Sequence, residues 1–182
     1  MRIITGSAKG THLIAPKGMD TRPTSDRVKE SLFNILGNSI IERNVLDLFA
    51  GTGNLGIEAL SRGATSATFI DFATDKIIKE NLKRTHLEEK ANVFKGDVFK
   101  ILKHLNNKTY DIIFIDPPYY KGLSQKTMEI LNSSTFFSAN GIIVLESGND
   151  EEFPTYDKFE IIREISYGKT TKISLFAGKE NI

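Results

Sequence analysis

Short apolar runs alternate with segments in which apolar residues recur every three or four positions. Five runs predict buried parallel strands, at residues 45–49, 67–71, 92–94, 110–116 and 141–146. The segments between them have helical periodicity, most clearly at residues 73–87, 98–105 and 123–131. Strands that alternate with helices predict an α/β fold, a parallel sheet with helices on both faces.

The two ends of the chain depart from this alternation. Residues 159–167 and 171–176 are both strand-like, and only three residues join them. Parallel neighbours need a crossover of about a dozen residues, so this pair is predicted to be an antiparallel hairpin at the sheet edge. Near the start, residues 2–4 and 12–14 predict a small β-hairpin. We therefore divide the chain into an extension, residues 1–24, and a main domain, residues 25–182.

A helix is predicted to begin among the capping residues at positions 24–26 and to end at Gly37. Its apolar stripe is predicted to face the sheet and consists of Val28, Leu32, Ile35 and Leu36.

Composition excludes several kinds of protein. The 182 residues are 40% hydrophobic and 26% charged, as expected for one globular domain. The absence of cysteine excludes disulfides and thiol chemistry, and the three histidines lack metal-ligand spacing, so no metal is expected. No secretory signal or membrane-length apolar segment is apparent, so a cytoplasmic protein without membrane contact is expected. The net charge is +1, but residues 1–30 carry six basic and three acidic side chains, which can contact phosphates or simply be solvated.

The segment from Val45 to Gly63 reads as a strand, a glycine-rich turn and a helix. Gly51, Gly53 and Gly56 have the spacing of a dinucleotide fingerprint, and Asp71 follows about twenty residues later. Such a turn brings a ligand close to bare backbone at a helix N-terminus. This pattern alone does not separate a nicotinamide oxidoreductase from a methyltransferase. Asp47 favours the second, because a buried carboxylate suits cationic S-adenosylmethionine better than a diphosphate, although it can also be bonded to backbone amides.

Carboxylates follow or end the predicted strands. Asp47, Asp71, Asp97 and Asp116 should face one crevice at the carboxyl edge of the sheet. Asp71 can accept hydrogen bonds from a ribose diol. Asp97 can accept from an adenine amino group while the Val98 N–H donates to the ring, although capping of the next helix explains Asp97 as well.

The sequence Asp116-Pro117-Pro118-Tyr119 follows the fourth predicted strand. Two prolines remove backbone donors and stiffen the loop, which leaves carbonyl and carboxylate acceptors. Such a rim suits an exocyclic NH₂ group, and Tyr119 can stack on the base that carries it once that base is flipped out.

Together, the segments DLFAGTG, DPPY, RIITGSAKG, TRPTSDRVKESLFNIL and YGKT resemble the RsmD family of bacterial 16S rRNA guanine-N2 methyltransferases. The resemblance implies a Class I methyltransferase fold, Rossmann-like, with a seven-stranded sheet. It implies methyl transfer from S-adenosylmethionine to N2 of a guanine in 16S rRNA, within the 30S subunit or its assembly intermediate, by a protein expected to be monomeric.

The resemblance also implies roles for individual residues. The cofactor is expected to contact Asp47, Phe49, Gly51, Gly53, Asp71, Asp97 and Val98. The catalytic residues are expected to be Asp116, Pro117, Pro118 and Tyr119. The substrate RNA is expected to contact Arg22, Thr24 and Arg27.

Three other functions are compatible with parts of this pattern. DPPY also serves adenine-N6 methyltransferases of DNA or RNA, although no separate target-recognition domain is apparent in 182 residues. A nicotinamide-dependent oxidoreductase shares the glycine turn. A non-catalytic RNA-binding module could retain the fold, although it would not need the acids and DPPY.

Overall fold

The computed structural model describes residues 1–16, 26–105 and 108–179, so Arg22 and Thr24 lie outside the described residues. Within these ranges seven strands form one sheet: β1 (Asn44–Leu48), β2 (Ser66–Asp71), β3 (Ala91–Lys95), β4 (Tyr110–Ile115), β5 (Phe137–Gly148), β6 (Phe159–Tyr167) and β7 (Thr171–Gly178). Their order is β3-β2-β1-β4-β5-β7-β6. Strand β7 is antiparallel to β5 and β6, and the other neighbours are parallel. The predicted mixed sheet with a terminal antiparallel hairpin is confirmed.

Five helices cover the sheet in the described ranges: α1 (Asp26–Leu36), α2 (Asn54–Ser61), α3 (Asp75–Thr85), α4 (Val98–Leu102) and α5 (Leu123–Ser133). Apolar residues of α1, α2 and α3 form one core with one face of the sheet. Residues of α4 and α5 form a second core with the other face. The predicted layers are confirmed, but α4 ends three residues earlier than predicted and β5 begins four residues earlier.

The order in which the strands are added reverses at the centre of the sheet. Strand β1 lies between β2 and β4, so the chain moves outward through β2 and β3 and then returns to the far side of β1. Open α/β sheets bind ligands at such a switch point, beyond the carboxyl ends of the strands. Asp47 and Asp116 lie on or directly after the two strands that meet there.

Helix α1 buries Leu32 and Leu36 as predicted, but its buried face is rotated relative to the rest of the predicted stripe. Its buried residues are Lys29, Leu32, Phe33 and Leu36, whereas Val28 and Ile35 are only partly buried. The rotation follows from Lys29, whose ammonium lies 3.1 Å from the Glu58 carboxylate and donates to Asn54 Oδ1 at 2.7 Å. A paired and hydrogen-bonded lysine can occupy a buried position that an unpaired one cannot.

The amino-terminal segment packs against the main domain. Arg2 and His12 form an antiparallel bridge, as the predicted hairpin requires. Ile3 and Leu13 enter the core shared with α1 and α2. The Glu58 carboxylate also accepts hydrogen bonds from the backbone N–H groups of Ile4, at 2.8 Å, and Thr5, at 3.1 Å. The proposed boundary at residue 24 falls outside the described residues.

No helix in the described ranges is long and apolar enough to cross a membrane. In the same part of the chain, no three His, Cys, Asp or Glu side chains come together as metal ligands.

Candidate active site

The glycine turn between β1 and α2 has a constrained backbone. Phe49, Gly51 and Gly53 have positive φ angles of 59°, 56° and 77°. A left-handed conformation costs energy at Phe49, which has a side chain, so the surrounding structure must hold it there. Gly56 has a different role, because a Cβ atom there would lie 2.3 Å from the Phe69 ring. Gly56 therefore lets α2 lie close against the sheet.

Asp47 lies at the bottom of this turn and is only 2% exposed. Its Oδ2 accepts a hydrogen bond from the Gly56 N–H at 2.9 Å, so the backbone-amide alternative recognised from the sequence is present. Burial, and to a smaller extent the nearby Asp71 carboxylate, nevertheless raise the pKa of Asp47 to about 8, although the Gly56 hydrogen bond acts to lower it. One amide therefore does not satisfy this carboxylate. Its contact with a cationic cofactor stays a prediction.

Asp71, at the end of β2, closes the other side of the turn. Its Oδ2 accepts from Gly51 N at 3.0 Å, and its Oδ1 accepts from Ala73 N at 2.9 Å and Thr74 N at 3.0 Å. A carboxylate has about four acceptor positions, so one remains for a ligand hydroxyl. Asp71 thus organises the pocket in addition to its predicted contact with ribose.

Asp97 and Val98 lie in the loop that follows β3. The exposed Asp97 carboxylate accepts from Lys100 N at 2.9 Å and caps α4, which is the alternative role that its sequence position indicated. Val98 is the first residue of that helix and is buried. The predicted contacts of both residues with adenine stay predictions.

The DPPY segment leaves β4 beside β1 and β5. Pro117 is buried, Pro118 is exposed and Tyr119 is half-buried. The Tyr119 hydroxyl donates to the Glu146 carboxylate and lies 3.4 Å from Thr171 Oγ1. Burial and the contact with Glu146 raise the pKa of Tyr119, so this phenol stays protonated. These contacts fix the ring at the mouth of the crevice.

Asp116 is surrounded by negative charge. Burial, then the Glu146 carboxylate, then Asp47 raise the pKa of Asp116 well above its ordinary value. Strand register explains this proximity, because Leu48 pairs with Ile115 and Ile115 pairs with Leu145. Asp116 directly follows Ile115 at the end of β4, and Glu146 follows Leu145 in β5, so the two acids are brought side by side. A cluster of this kind is stabilised by a cationic ligand or by hydrogen-bond donors.

Two site residues were not predicted. Glu146 ends the apolar run GIIVLE, and this strand-end position, the same as that of the predicted acids, could have identified it. Phe72 directly follows Asp71 and is 74% exposed. An exposed aromatic ring beside the glycine turn offers a flat apolar face on which a planar ligand can stack.

The structure thus brings Asp47, Asp71, Asp116 and Tyr119 together around the glycine turn and adds Glu146. Arg27 is exposed on α1, where it lines a surface groove, and its contact with RNA stays a prediction.

Comparison with known proteins agrees with this geometry. The profile of a family described as conserved hypothetical protein 95 matches residues 1–176. "Putative rRNA methyltransferase YlbH" of Bacillus subtilis is 38% identical over 175 residues, which cover 93% of this chain and 95% of the relative. "Ribosomal RNA small subunit methyltransferase D" of Escherichia coli is 36% identical over 157 residues, covering 85% of this chain and 78% of the relative.

Similarity to solved structures extends over the same length. A structure of "Putative methyltransferase yhhF from Escherichia coli" superposes with a TM-score of 0.87 at 34% identity and covers 98% of both chains. The matched region includes the glycine turn, the DPPY segment and most of the terminal hairpin. The chain therefore belongs to the conserved hypothetical protein 95 family of methyltransferases, which is the RsmD family that its sequence resembles.

Proposed function

We propose that the protein methylates the exocyclic N2 of one guanine in 16S rRNA, with S-adenosylmethionine as the methyl donor. Family membership supports a methyltransferase of small-subunit rRNA. We further propose that the protein acts as a monomer in the cytoplasm, on the 30S subunit or its assembly intermediate.

One observation carries this proposal, namely the meeting of Asp47, Asp116 and Glu146 beside a glycine turn and a fixed Tyr119. Burial is the main cause of the raised pKa values of Asp47 and Asp116. The charge of Asp71 adds to it at Asp47, and the charges of Glu146 and Asp47 add to it at Asp116. A diphosphate would add negative charge to this cluster, which disfavours a nicotinamide dinucleotide. A ligand with an ammonium and a sulfonium would neutralise it.

The residues of the turn fit S-adenosylmethionine. Asp47 would face its cationic methionine end, the free acceptor position of Asp71 would take a ribose hydroxyl, and the exposed ring of Phe72 would lie against the adenine. When bound, S-adenosylmethionine supplies a methyl group activated by the positive charge on sulfur. The electrophile is thus already activated, so the protein's task is to orient and deprotonate the amine.

The DPPY loop would hold that amine. Guanine N2 carries two hydrogens and a lone pair delocalised into the ring. Hydrogen bonds from the two hydrogens to the Asp116 carboxylate and the Pro117 carbonyl would favour a tetrahedral nitrogen and direct its lone pair. Orientation of this kind contributes on the order of 7–11 kcal/mol in well-ordered intramolecular reactions.

Asp116 would also accept a proton. Replacing one N2 hydrogen by a methyl group releases one proton for each turnover. A carboxylate with a raised pKa holds that proton more strongly than an ordinary aspartate does. The positive charge of a bound cofactor would first stabilise the ionised form of Asp116 that accepts the amine.

The test is methyl transfer from tritium-labelled S-adenosylmethionine to naked 16S rRNA and to 30S particles, both from a strain that lacks the enzyme. Nucleoside mass analysis should find N2-methylguanosine. Asp116→Asn should lower turnover at least 100-fold, the scale of a lost general base, while cofactor affinity stays near the wild-type value. Methyl groups on adenine N6, or none on RNA, would refute the proposed function. Normal turnover by Asp116→Asn would refute only the role of Asp116.

A further inference from the structure

A groove of about 620 Å³ lies between the outward face of α1 and strand β6, the edge of the sheet. Arg27, Ser31 and Asn34 line it from α1, at the spacing of one helical face. Arg163 and Ile165 line it from β6. None of these residues belongs to the acidic cluster, so the groove is a separate surface feature.

The charged groups of the groove favour an anion. Arg27 and Arg163 are exposed, and among the described residues no ion pair involves either guanidinium. Glu30 is the one acidic residue that lines the groove in this part of the chain. The neighbouring Glu164 lies on the opposite face of β6, where it contacts Lys172 Nζ at 3.2 Å and accepts from Ser174 Oγ at 2.9 Å.

A chain of contacts links the groove to the DPPY end of the sheet. The Tyr167 hydroxyl donates to Ser31 Oγ at 3.0 Å and so joins β6 to α1. Tyr167 pairs with Thr171, whose hydroxyl lies 3.4 Å from that of Tyr119. Arg163 precedes Tyr167 by four residues along β6, so the two residues lie about 13 Å apart at about 3.3 Å per residue. Arg27 lies one helical turn before Ser31. An RNA strand with one base on Tyr119 that follows these contacts into the groove would therefore pass both arginines.

We propose that this groove binds the phosphate backbone of the substrate RNA next to the modified guanine. Arg27 and Arg163 would each contact a phosphate, because a guanidinium presents paired donors that match phosphate oxygens. Ser31 and Asn34 would supply uncharged polar groups between them. The inference rests on the proposed function and assigns it a path for the RNA.

The test is the salt dependence of binding to naked 16S rRNA, measured with S-adenosylhomocysteine present so that no turnover occurs. The binding constant K falls as the salt concentration rises, and each lost phosphate contact makes the plot of log K against log salt concentration less steep by about 0.7–0.9. The double variant Arg27→Gln/Arg163→Gln should therefore have a slope less steep than that of the wild type by about 1.4–1.8. The matched control is Lys83→Gln/Arg84→Gln, which removes two exposed charges from the end of α3, near the opposite sheet edge. Its slope should equal that of the wild type.

Three results would overturn the groove proposal. They are an unchanged slope in the groove variant, an equal decrease in the control, or weaker binding to 30S particles without weaker binding to naked rRNA. The last result would indicate a contact with ribosomal protein. Unchanged S-adenosylhomocysteine affinity verifies that the variants are folded. Methyl transfer by the wild type reports separately on the proposed function, so the two failures are distinguishable.

Discussion

Asp47→Asn should make the protein more stable, and increasingly so as the pH rises. Asparagine keeps the size of the side chain and an oxygen for the Gly56 N–H, but it cannot ionise. In the wild type, folding raises the pKa of Asp47 from 3.8 to about 8. The folded state therefore binds a proton that the unfolded state releases between these values, and the wild type loses stability as the pH rises through that range.

The size of the effect follows from the shift. One pKa unit corresponds to 1.36 kcal/mol, so the stability difference between Asp47→Asn and the wild type should grow by on the order of 4 kcal/mol between pH 5 and pH 9. For a domain of this size, each kcal/mol changes the melting temperature by roughly 2–4 °C. The difference in melting temperature should thus widen by about 10 °C, which is easily measured.

The measurement is thermal or urea unfolding of the two proteins without ligand at pH 5, 7 and 9. Effects of the other titrating groups cancel in the difference. Asp157→Asn is the matched control, because Asp157 is exposed, and its difference from the wild type should stay constant. A constant difference for Asp47→Asn as well would show that Asp47 titrates normally, and the argument for a cationic ligand would lose its main support. With S-adenosylmethionine present, the order should reverse, because the wild type gains more from the ligand.

Three other substitutions test separate parts of the site. Glu146→Gln should move the acidic limb of the pH profile of kcat/KM to lower pH, because the Glu146 charge raises the pKa of Asp116. Thr171→Val changes no charge and should leave that limb in place. If neither substitution moves the limb, Glu146 does not affect the pKa of Asp116. Phe72→Ala should weaken S-adenosylhomocysteine binding, measured by calorimetry, on the order of tenfold, which is the scale of one stacked base. The control is Phe94→Ala, which removes another exposed phenylalanine. If both variants bind S-adenosylhomocysteine with the same affinity, the adenine does not stack on Phe72. Glu58→Gln should lower the free energy of unfolding in urea by about 3–5 kcal/mol, because it leaves the buried Lys29 charged without its acidic partner. The control, Glu80→Gln, changes an exposed residue and should alter the free energy of unfolding by less than about 0.5 kcal/mol. A similarly small effect of Glu58→Gln would refute this reasoning.

The sheet could be predicted because its order depends on local patterns. Apolar runs gave the central strands, and three residues between β6 and β7 allow only an antiparallel pair. The first part of β5 could not be predicted in this way. Residues 137–140 are half-buried or exposed, so they carry no continuous apolar run.

The meeting of the acids at one edge of the sheet could be predicted from their positions at strand ends, whereas the local hydrogen-bond partners of each side chain could not. Asp47 is buried and Asp116 is half-buried at adjacent strand ends, as their places in the sequence indicate. Asp71 and Asp97 bind backbone N–H groups of their own loops, and a sequence cannot show how much of their acceptor capacity remains. Glu146 was missed because its role depends on the register between β4 and β5.

The buried Lys29 shows why one residue can override a helical pattern. Burial lowers the pKa of this lysine, and Glu58 opposes that effect. Replacement of a buried ion pair by apolar residues is often neutral or stabilising, so attraction between the two charges alone does not explain why they are buried. Glu58 also holds two backbone N–H groups of the amino-terminal segment, and it lies on α2, the helix that follows the glycine turn. The pair therefore joins the amino-terminal segment, the helix that follows the glycine turn and the helix that carries Arg27. An apolar replacement could fill the space but would leave those N–H groups without acceptors.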